Sequence, residues 1–141
     1  MSEQTATSLE QEAHRVFELV DALDLHGLGA MLTDDAQGVD EISRRWIRGR
    51  AALEAYFVQL KDMVSDLRSQ LSDLHVTAWG EVGLVTCVLD QTYKVTDQHE
   101  RISAPTSMIF RHQDGSWKLA LISAVPIALP PQDWPDRFAF T

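Results

Sequence analysis

The stretch LTDDAQGVDEISRRWIRGRAALEAYF, residues 32–57, decides how this chain is interpreted. It places an acidic residue, Asp40, between a predicted helix end at Asp34-Asp35 and a predicted helix start just after Gly49. A carboxylate between apolar segments is a candidate general base, because apolar surroundings raise its affinity for a proton. Asp40 is therefore the first candidate for a catalytic residue.

Asp40 also has a structural interpretation. It lies four residues before Arg44, with which it could form a turn or an ion pair. Four of the twelve basic residues lie between positions 44 and 50, and this cluster is either a solvated face or a local attraction for an anion. Both interpretations of Asp40 stay open on the sequence alone.

Apolar residues at helical spacing predict three helices in the first half of the chain. The first covers about residues 7–25, and a short second segment contains Leu28 and Met31. The third opens after Gly49 and ends near Leu67, where the apolar pattern changes from helical spacing to alternation.

Turn residues then divide the second half into strands. Gly80-Glu81, the segment from Asp97 to Glu100, and Asp114-Gly115 separate alternating apolar segments, and Asp-Gly is a strong hairpin signal. Helices followed by a meander of strands predict the α+β class, with the helices on one face of a curved antiparallel sheet.

The length of 141 residues and the hydrophobic fraction of 45% suit one domain, residues 1–141, with a core of about residues 9–125. Residues 126–141 differ, because four prolines interrupt regular structure while the segment stays rich in aromatic residues. We expect this tail to pack on the domain or on a partner subunit, since Trp134, Phe138 and Phe140 are too apolar for a free end.

The formal net charge of -9 opposes nucleic acid and anionic membrane surfaces, and an uncharged small molecule is the easier partner. The start MSEQTATS lacks the pattern of a secretory signal, so a cytoplasmic location is expected. Cys87 is the single cysteine, and its apolar neighbours make it a candidate for the core.

Motifs for metal and cofactor chemistry are missing from the sequence. The five histidines never occur at i, i+4 spacing, and there is no GxSxG elbow, phosphate-binding glycine loop or dinucleotide fingerprint. We therefore expect no metal and no cofactor, which leaves acid–base or binding chemistry in a pocket.

The order of several motifs resembles the nuclear transport factor 2-like superfamily and, within it, the SnoaL-like proteins. These motifs are LTDDA, Asp40, Trp46, GRAALEAYF, AWGEVGLVT and FRHQDGSWKL, and the resemblance covers roughly Leu9 to Val125. It implies a cone-shaped fold in which a bent antiparallel sheet wraps three helices and encloses a ligand pocket. It also implies a homodimer that pairs through the sheet.

Within that superfamily, ketosteroid isomerase has a similar ADDA segment, and the same spacing after Ala36 implies Asp40 as the base. The same comparison places Val16 and Ser107 where the isomerase carries its two oxyanion donors. Because one such donor contributes about 2.7–4 kcal/mol, steroid isomerisation by that mechanism is not expected here. Substitute donors could come from Ser107 itself or from the rings of Tyr56, Tyr93, Trp46 or Trp79.

Other residues are candidates for the pocket wall. Trp46 and Tyr56 follow the candidate base in sequence and belong either to the core or pocket wall or to the chemistry. His75 alternates with Trp79 along a predicted strand, so it either faces the cavity or is a structural histidine. Asp90 lies among apolar residues and is either a second pocket acid or a surface residue at a strand edge.

Two functions follow from the resemblance. The first is a small-molecule enzyme, a cofactor-independent isomerase, cyclase or lyase in which Asp40 removes a proton next to a carbonyl group. The second is a non-catalytic dimeric ligand-binding or association domain with a vestigial pocket, in which Asp40 is tied to Arg44 or Arg48.

Overall fold

A computed structural model describes residues 1–127 of the chain. Three helices and six strands occur in these residues, in the order α1 (Glu3–Asp21), α2 (Leu25–Met31), β1 (Leu32–Asp40), β2 (Ile47–Arg48), α3 (Arg50–Met63), β3 (Val64–Trp79), β4 (Val82–Val95), β5 (Gln98–Gln113) and β6 (Ser116–Ala124). Most of the predicted proline-rich tail lies outside the described residues, so its packing stays a prediction.

The six strands form one curved, unclosed sheet in the order β2-β1-β6-β5-β4-β3. The predicted α+β class and the cone-like arrangement of three helices against a curved sheet are confirmed. The sheet is mixed rather than wholly antiparallel, because β1 runs parallel to β6. In the chain, β1 and β6 are separated by β2, α3 and strands β3 to β5. No tight hairpin therefore joins them, and they can pair in parallel.

Strand β1 was not predicted, because its acidic residues suggested the end of a helix. In the structure Asp34 and Asp35 are both exposed and lie near arginines of other elements. Arg50 of α3 lies 3.2 Å from Asp34, and Arg111 of β5 lies 3.8 Å from Asp35. These long-range partners are invisible in the local sequence.

Three boundaries of helices α1 and α3 also differ from the prediction. Helix α1 begins at Glu3, because the Ser2 hydroxyl oxygen accepts the Thr5 backbone N–H at 3.0 Å and caps the first turn. It ends at Asp21, and Leu23 follows in the left-handed region at φ 51°. Helix α3 ends at Met63, so the leucines that were ambiguous between helix and strand belong to β3.

The predicted hairpin at Asp114-Gly115 is confirmed. Both residues have positive φ, at 51° and 81°, as the tight turn between β5 and β6 requires. The predicted turn at Gly80-Glu81 likewise separates β3 from β4.

The core lies between α1 and the face of the sheet that meets the helices, which we call the inner face. Helix α1 contributes Leu9, Ala13, Val16 and Phe17, and each large buried apolar side chain stabilises the fold by about 1.5–3 kcal/mol. The sheet contributes Val85, Cys87, Leu89, Met108, Phe110 and Leu119. Burial raises the pKa of the Cys87 thiol to about 11, which favours its unreactive form.

Within residues 1–127, no helix combines the length and the apolar character that crossing a bilayer demands.

Gly83 allows α1 to approach β4 closely. A Cβ atom at this position would lie 2.7 Å from both δ-carbons of Leu9, whose side chain is completely buried. We predict that Gly83→Ala lowers the free energy of unfolding by about 1–3 kcal/mol through overpacking. Chemical denaturation measures this, with Glu81→Ala at an exposed turn as the control. Equal stability of Gly83→Ala and wild type would contradict the close approach.

Candidate functional site

A cavity of about 100 Å³ lies between the helices and the inner face of the sheet. This exceeds several-fold the ~10–15 Å³ that a single water molecule needs. Most of the wall is apolar and includes Val16, Leu53, Leu89 and Ile122. The cavity therefore suits a small and mainly apolar molecule.

The polar side chains of the wall come from three elements. The end of β1 and the turn after it supply Asp40, Glu41 and Ser43, helix α3 supplies Tyr56, and β4 supplies Gln91 and Tyr93. We call these six residues the polar wall. A few polar groups in an otherwise apolar cavity are the usual means of orienting a ligand.

Asp40 holds the turn that follows β1. Its Oδ1 atom accepts the backbone N–H groups of Ile42 at 3.0 Å and Ser43 at 2.7 Å, as Asp side chains commonly do at turns. Asp40 therefore forms the turn, as one interpretation of the sequence predicted. The turn uses only Oδ1 and leaves Oδ2 available for other contacts.

Tyr56 binds the same carboxylate from helix α3. Its hydroxyl oxygen lies 2.7 Å from Asp40 Oδ1 and 2.8 Å from Oδ2, and it donates to this pair. Burial, together with the negative charge of Asp40, raises the pKa of Tyr56 far above its usual value, so the hydroxyl group keeps its proton. Within residues 1–127, Asp40 Oδ2 accepts a hydrogen bond only from Tyr56.

Within residues 1–127, the Asp40 carboxylate forms no ion pair with Arg44 or Arg48, although the Arg44 backbone N–H donates to the Asp40 carbonyl oxygen at 3.0 Å. Arg44 Nε donates instead to the Glu41 carbonyl oxygen at 3.1 Å, and Arg48 Nε donates to Gln37 Oε1 at 3.1 Å. Both arginine side chains are exposed. The negative charge on Asp40 is thus stabilised by hydrogen-bond donors rather than by a cation.

Glu41 is a member of the polar wall that sequence reasoning missed. Burial and the neighbouring charge of Asp40 raise the pKa of Glu41, while hydrogen bonds from its own backbone and from Tyr93 act in the opposite direction. Burial, followed by the charge of Glu41, raises the pKa of Tyr93. No sequence pattern marks Glu41, because it lies in an irregular turn.

Tyr93, a candidate donor from the sequence, lines the cavity, and Gln91 could have been found by alternation along β4. Gly83, Val85, Cys87 and Leu89 all face inward, and the same parity continues to Gln91 and Tyr93.

Three of the predicted site residues meet at the cavity, namely Asp40, Val16 and Tyr56. Val16 is only 1% exposed, and its apolar side chain has no donor to offer. Trp46 does not line the cavity, because it lies on the exposed loop between β1 and β2.

His75 and Trp79 point away from the cavity. A bulge at Asp73, which has φ 52°, shifts the alternation of β3, so Leu74, Val76 and Ala78 face inward after it. The His75 side chain is 75% exposed and lies 3.2 Å from Asp73, and Trp79 is 61% exposed.

Ser107 and Asp90 lie on the opposite, outer face of the sheet. Ser107 is paired with Thr86 of β4 and Ser123 of β6, and the inward positions of its strand are Thr106 and Met108. Neither Ser107 nor Asp90 lines the cavity, so the donor and the second pocket acid suggested by the sequence are not found at these positions.

We predict that Glu41 makes the stability of the fold depend on pH. Its pKa is higher in the folded chain than in the unfolded chain, where it is about 4.5, so the unfolded chain binds fewer protons above that pH. The wild type should lose stability relative to Glu41→Gln as the pH rises from about 4.5, and the two should converge at lower pH. Thermal denaturation from pH 4 to 8 measures this difference.

The exposed Glu81→Gln variant serves as the control and should follow the wild type across the series. A constant difference between Glu41→Gln and wild type at every pH would contradict the raised pKa.

Comparison with known proteins gives the family. No curated protein matches the chain significantly. The family model described as SnoaL-like domain matches residues 10–127.

Solved structures share the fold at low sequence identity. A candidate dehydratase of the NTF2-like family from Streptomyces avermitilis is 16% identical, with a TM-score of 0.83 over 90% of this chain and 99% of that one. A candidate aromatic ring hydroxylase from Novosphingobium aromaticivorans is 14% identical, with a TM-score of 0.83 over 92% and 93%. A ketosteroid isomerase-like protein from Erwinia carotovora atroseptica is 18% identical, with a TM-score of 0.77 over 92% and 100%.

The three helices, the curved sheet and the family match over residues 10–127 together establish that this chain belongs to the SnoaL-like family of the NTF2-like superfamily.

Proposed function

We propose that this protein binds a small, mainly apolar carbonyl compound in its cavity and catalyses proton transfer next to the carbonyl group. The observation that carries the proposal is the position of Asp40. Asp40 lines a mainly apolar cavity, and within the described part of the chain its Oδ2 atom accepts one hydrogen bond, from Tyr56. A carboxylate in this setting has a lone pair available for a substrate proton.

The proposed step begins when Asp40 Oδ2 takes a proton from the carbon next to the carbonyl group. The electron pair of the broken C–H bond forms a C=C bond, and the carbonyl oxygen takes the negative charge of an enolate. Return of the proton to the same carbon gives exchange, and its return to another carbon of a conjugated enolate completes an isomerisation. In a cyclisation the enolate carbon would instead attack an electrophilic carbon of the same ligand. In an elimination the enolate would expel a leaving group from the next carbon, and that group would take the proton from Asp40. No cofactor takes part in this sequence.

A neutral donor of the polar wall would stabilise the enolate oxygen. Tyr93 keeps its proton, because burial and the charge of Glu41 raise the pKa of its hydroxyl group. The single proton of the Tyr56 hydroxyl group is donated to Asp40. Tyr93 would therefore take the role that Val16 and Ser107 cannot fill.

Names of similar structures include a candidate dehydratase and a ketosteroid isomerase-like protein, both of which suggest acid–base chemistry on this fold. Fold similarity at this identity does not transfer an activity. The argument therefore depends on the site itself.

A non-catalytic ligand-binding domain is the second candidate. It is favoured by the two backbone hydrogen bonds that engage Asp40 Oδ1 in the turn after β1. In that case Asp40 and Tyr56 would hold the cavity wall in place without moving a proton.

We predict that the protein accelerates deuterium exchange at the α-carbons of 2-tetralone in D₂O and that Asp40→Asn abolishes this effect. The loss should be about 100-fold or more, since a general base contributes roughly 10²–10⁴ in rate. Proton NMR follows the exchange. Asp90→Asn, on the outer face of the sheet, is the matched control and should retain the wild-type rate.

Two outcomes separate the candidates. Exchange that persists in Asp40→Asn would remove Asp40 from the role of base. Binding of 2-tetralone without any acceleration would favour the non-catalytic domain.

We also propose a homodimer that pairs through the outer face of the sheet. Leu84, Ile109 and Leu121 are neighbours across β4, β5 and β6 and form a half-buried apolar row there. Apolar residues grouped on an accessible sheet face are typical of a subunit interface.

We predict that Ile109→Lys converts a dimer into a monomer, because it places a charge at the centre of this row. Light scattering measures the mass, with Ala55→Lys on the exposed side of α3 as the control. A monomeric wild type would contradict the proposed dimer. The cytoplasmic location stays a prediction of the sequence.

A further inference from the structure

Hydrogen bonds between α1, β3 and β4 fix the orientation of the Gln91 side chain. The Ser69 backbone N–H donates to Asp21 Oδ2 at 2.8 Å, and the Ser69 hydroxyl group donates to Asp21 Oδ1 at 2.6 Å. A carboxylate oxygen accepts here, so the single hydroxyl proton of Ser69 is used by Asp21. The Ser69 oxygen must therefore be the acceptor toward Gln91.

The amide nitrogen of Gln91 donates to Ser69 Oγ at 3.0 Å. The reversed amide would set its carbonyl oxygen against another acceptor, so the hydrogen-bond network assigns one orientation only. The carbonyl oxygen of Gln91 consequently points away from Ser69.

That carbonyl oxygen has no hydrogen-bond donor among residues 1–127. Gln91 is 8% exposed and lines the cavity, so most of its side chain is enclosed by the protein. Its carbonyl oxygen is not fully enclosed, so a molecule in the cavity can reach it. A ligand that supplies an O–H or N–H group would form a hydrogen bond with this acceptor.

The position of Gln91 relates this acceptor to the proposed chemistry. Along the inner face of β4 it lies between Leu89, which belongs to the apolar wall, and Tyr93, which belongs to the polar wall together with Glu41. Glu41 directly follows Asp40. The acceptor thus marks the border between the apolar wall and the acid–base groups.

We propose that Gln91 determines ligand specificity by accepting a hydrogen bond from an O–H or N–H group of the ligand. The ligand class is then a small apolar molecule with a hydroxyl or amino group beside its carbonyl group. This inference rests on the proposed function in taking the cavity as the ligand site, but it does not require Asp40 to be catalytic.

The test compares three probes of nearly equal shape, namely 4-ethylphenol, 4-ethylaniline and 4-ethyltoluene. The first two carry a donor where the third carries a methyl group, and titration calorimetry on the full chain measures each Kd. We expect the wild type to bind the better donor about tenfold or more tightly than 4-ethyltoluene. The order of the phenol and the aniline then identifies the preferred donor.

Gln91→Met keeps the length of the side chain but removes the acceptor, and it should reduce the preference to about threefold or less. Gln70→Met, at an exposed position of the neighbouring strand β3, is the matched control and should retain the preference. Ser69→Ala is a second variant. It should weaken the preference because the amide of Gln91 is then free to turn.

The Asp40 carboxylate could also accept the hydrogen bond from the probe. The Asp40→Asn variant distinguishes this acceptor from Gln91. Retention of the preference in Asp40→Asn and its loss in Gln91→Met would support Gln91, and the reverse pattern would overturn it. Equal wild-type binding of all three probes would overturn the role of Gln91 while leaving the cavity as a binding site. Failure to bind any probe would count against both the inference and the proposed cavity function.

Discussion

The hydrogen bond between Tyr56 and Asp40 ties helix α3 to the end of strand β1, and the site depends on this contact. One turn earlier on α3, Leu53 packs against Gly38, where a Cβ atom would lie 3.1 Å from its Cδ2 atom. The apolar contact sets the distance between helix and strand, and the polar contact directs the carboxylate into the cavity. A displacement of α3 would therefore change both the shape of the cavity and the orientation of Asp40.

Asp40 and Glu41 are adjacent acids on the polar wall, and the whole chain has a net charge of -9. Burial and the charge of Asp40 raise the pKa of Glu41, so a second negative charge beside the first is disfavoured. The same surroundings keep Tyr56 and Tyr93 protonated. The wall thus combines two adjacent acids with two hydroxyl groups that keep their protons, an arrangement that suits a neutral ligand better than an anion.

Sequence patterns predicted those elements whose causes are local. Gly49 and the apolar stripe after it predicted the start of α3, and Asp114-Gly115 predicted its hairpin, because each depends on neighbouring residues. Strand β1 escaped prediction because its acids pair with arginines that are distant in sequence. Glu41 escaped for a related reason, since only the folded turn brings it into the cavity wall.

Side-chain direction was predictable only along uninterrupted strands. The bulge at Asp73 exchanges the two faces of β3, and simple alternation therefore placed His75 and Trp79 in the cavity although both lie outside. Strands β4 and β5 pair without any register shift, so alternation from the buried apolar half of β4 correctly extends to Gln91 and Tyr93. Positions on β4 are accordingly the firmest basis for assigning ligand contacts, because their orientation follows from the backbone and does not depend on a loop or a bulge.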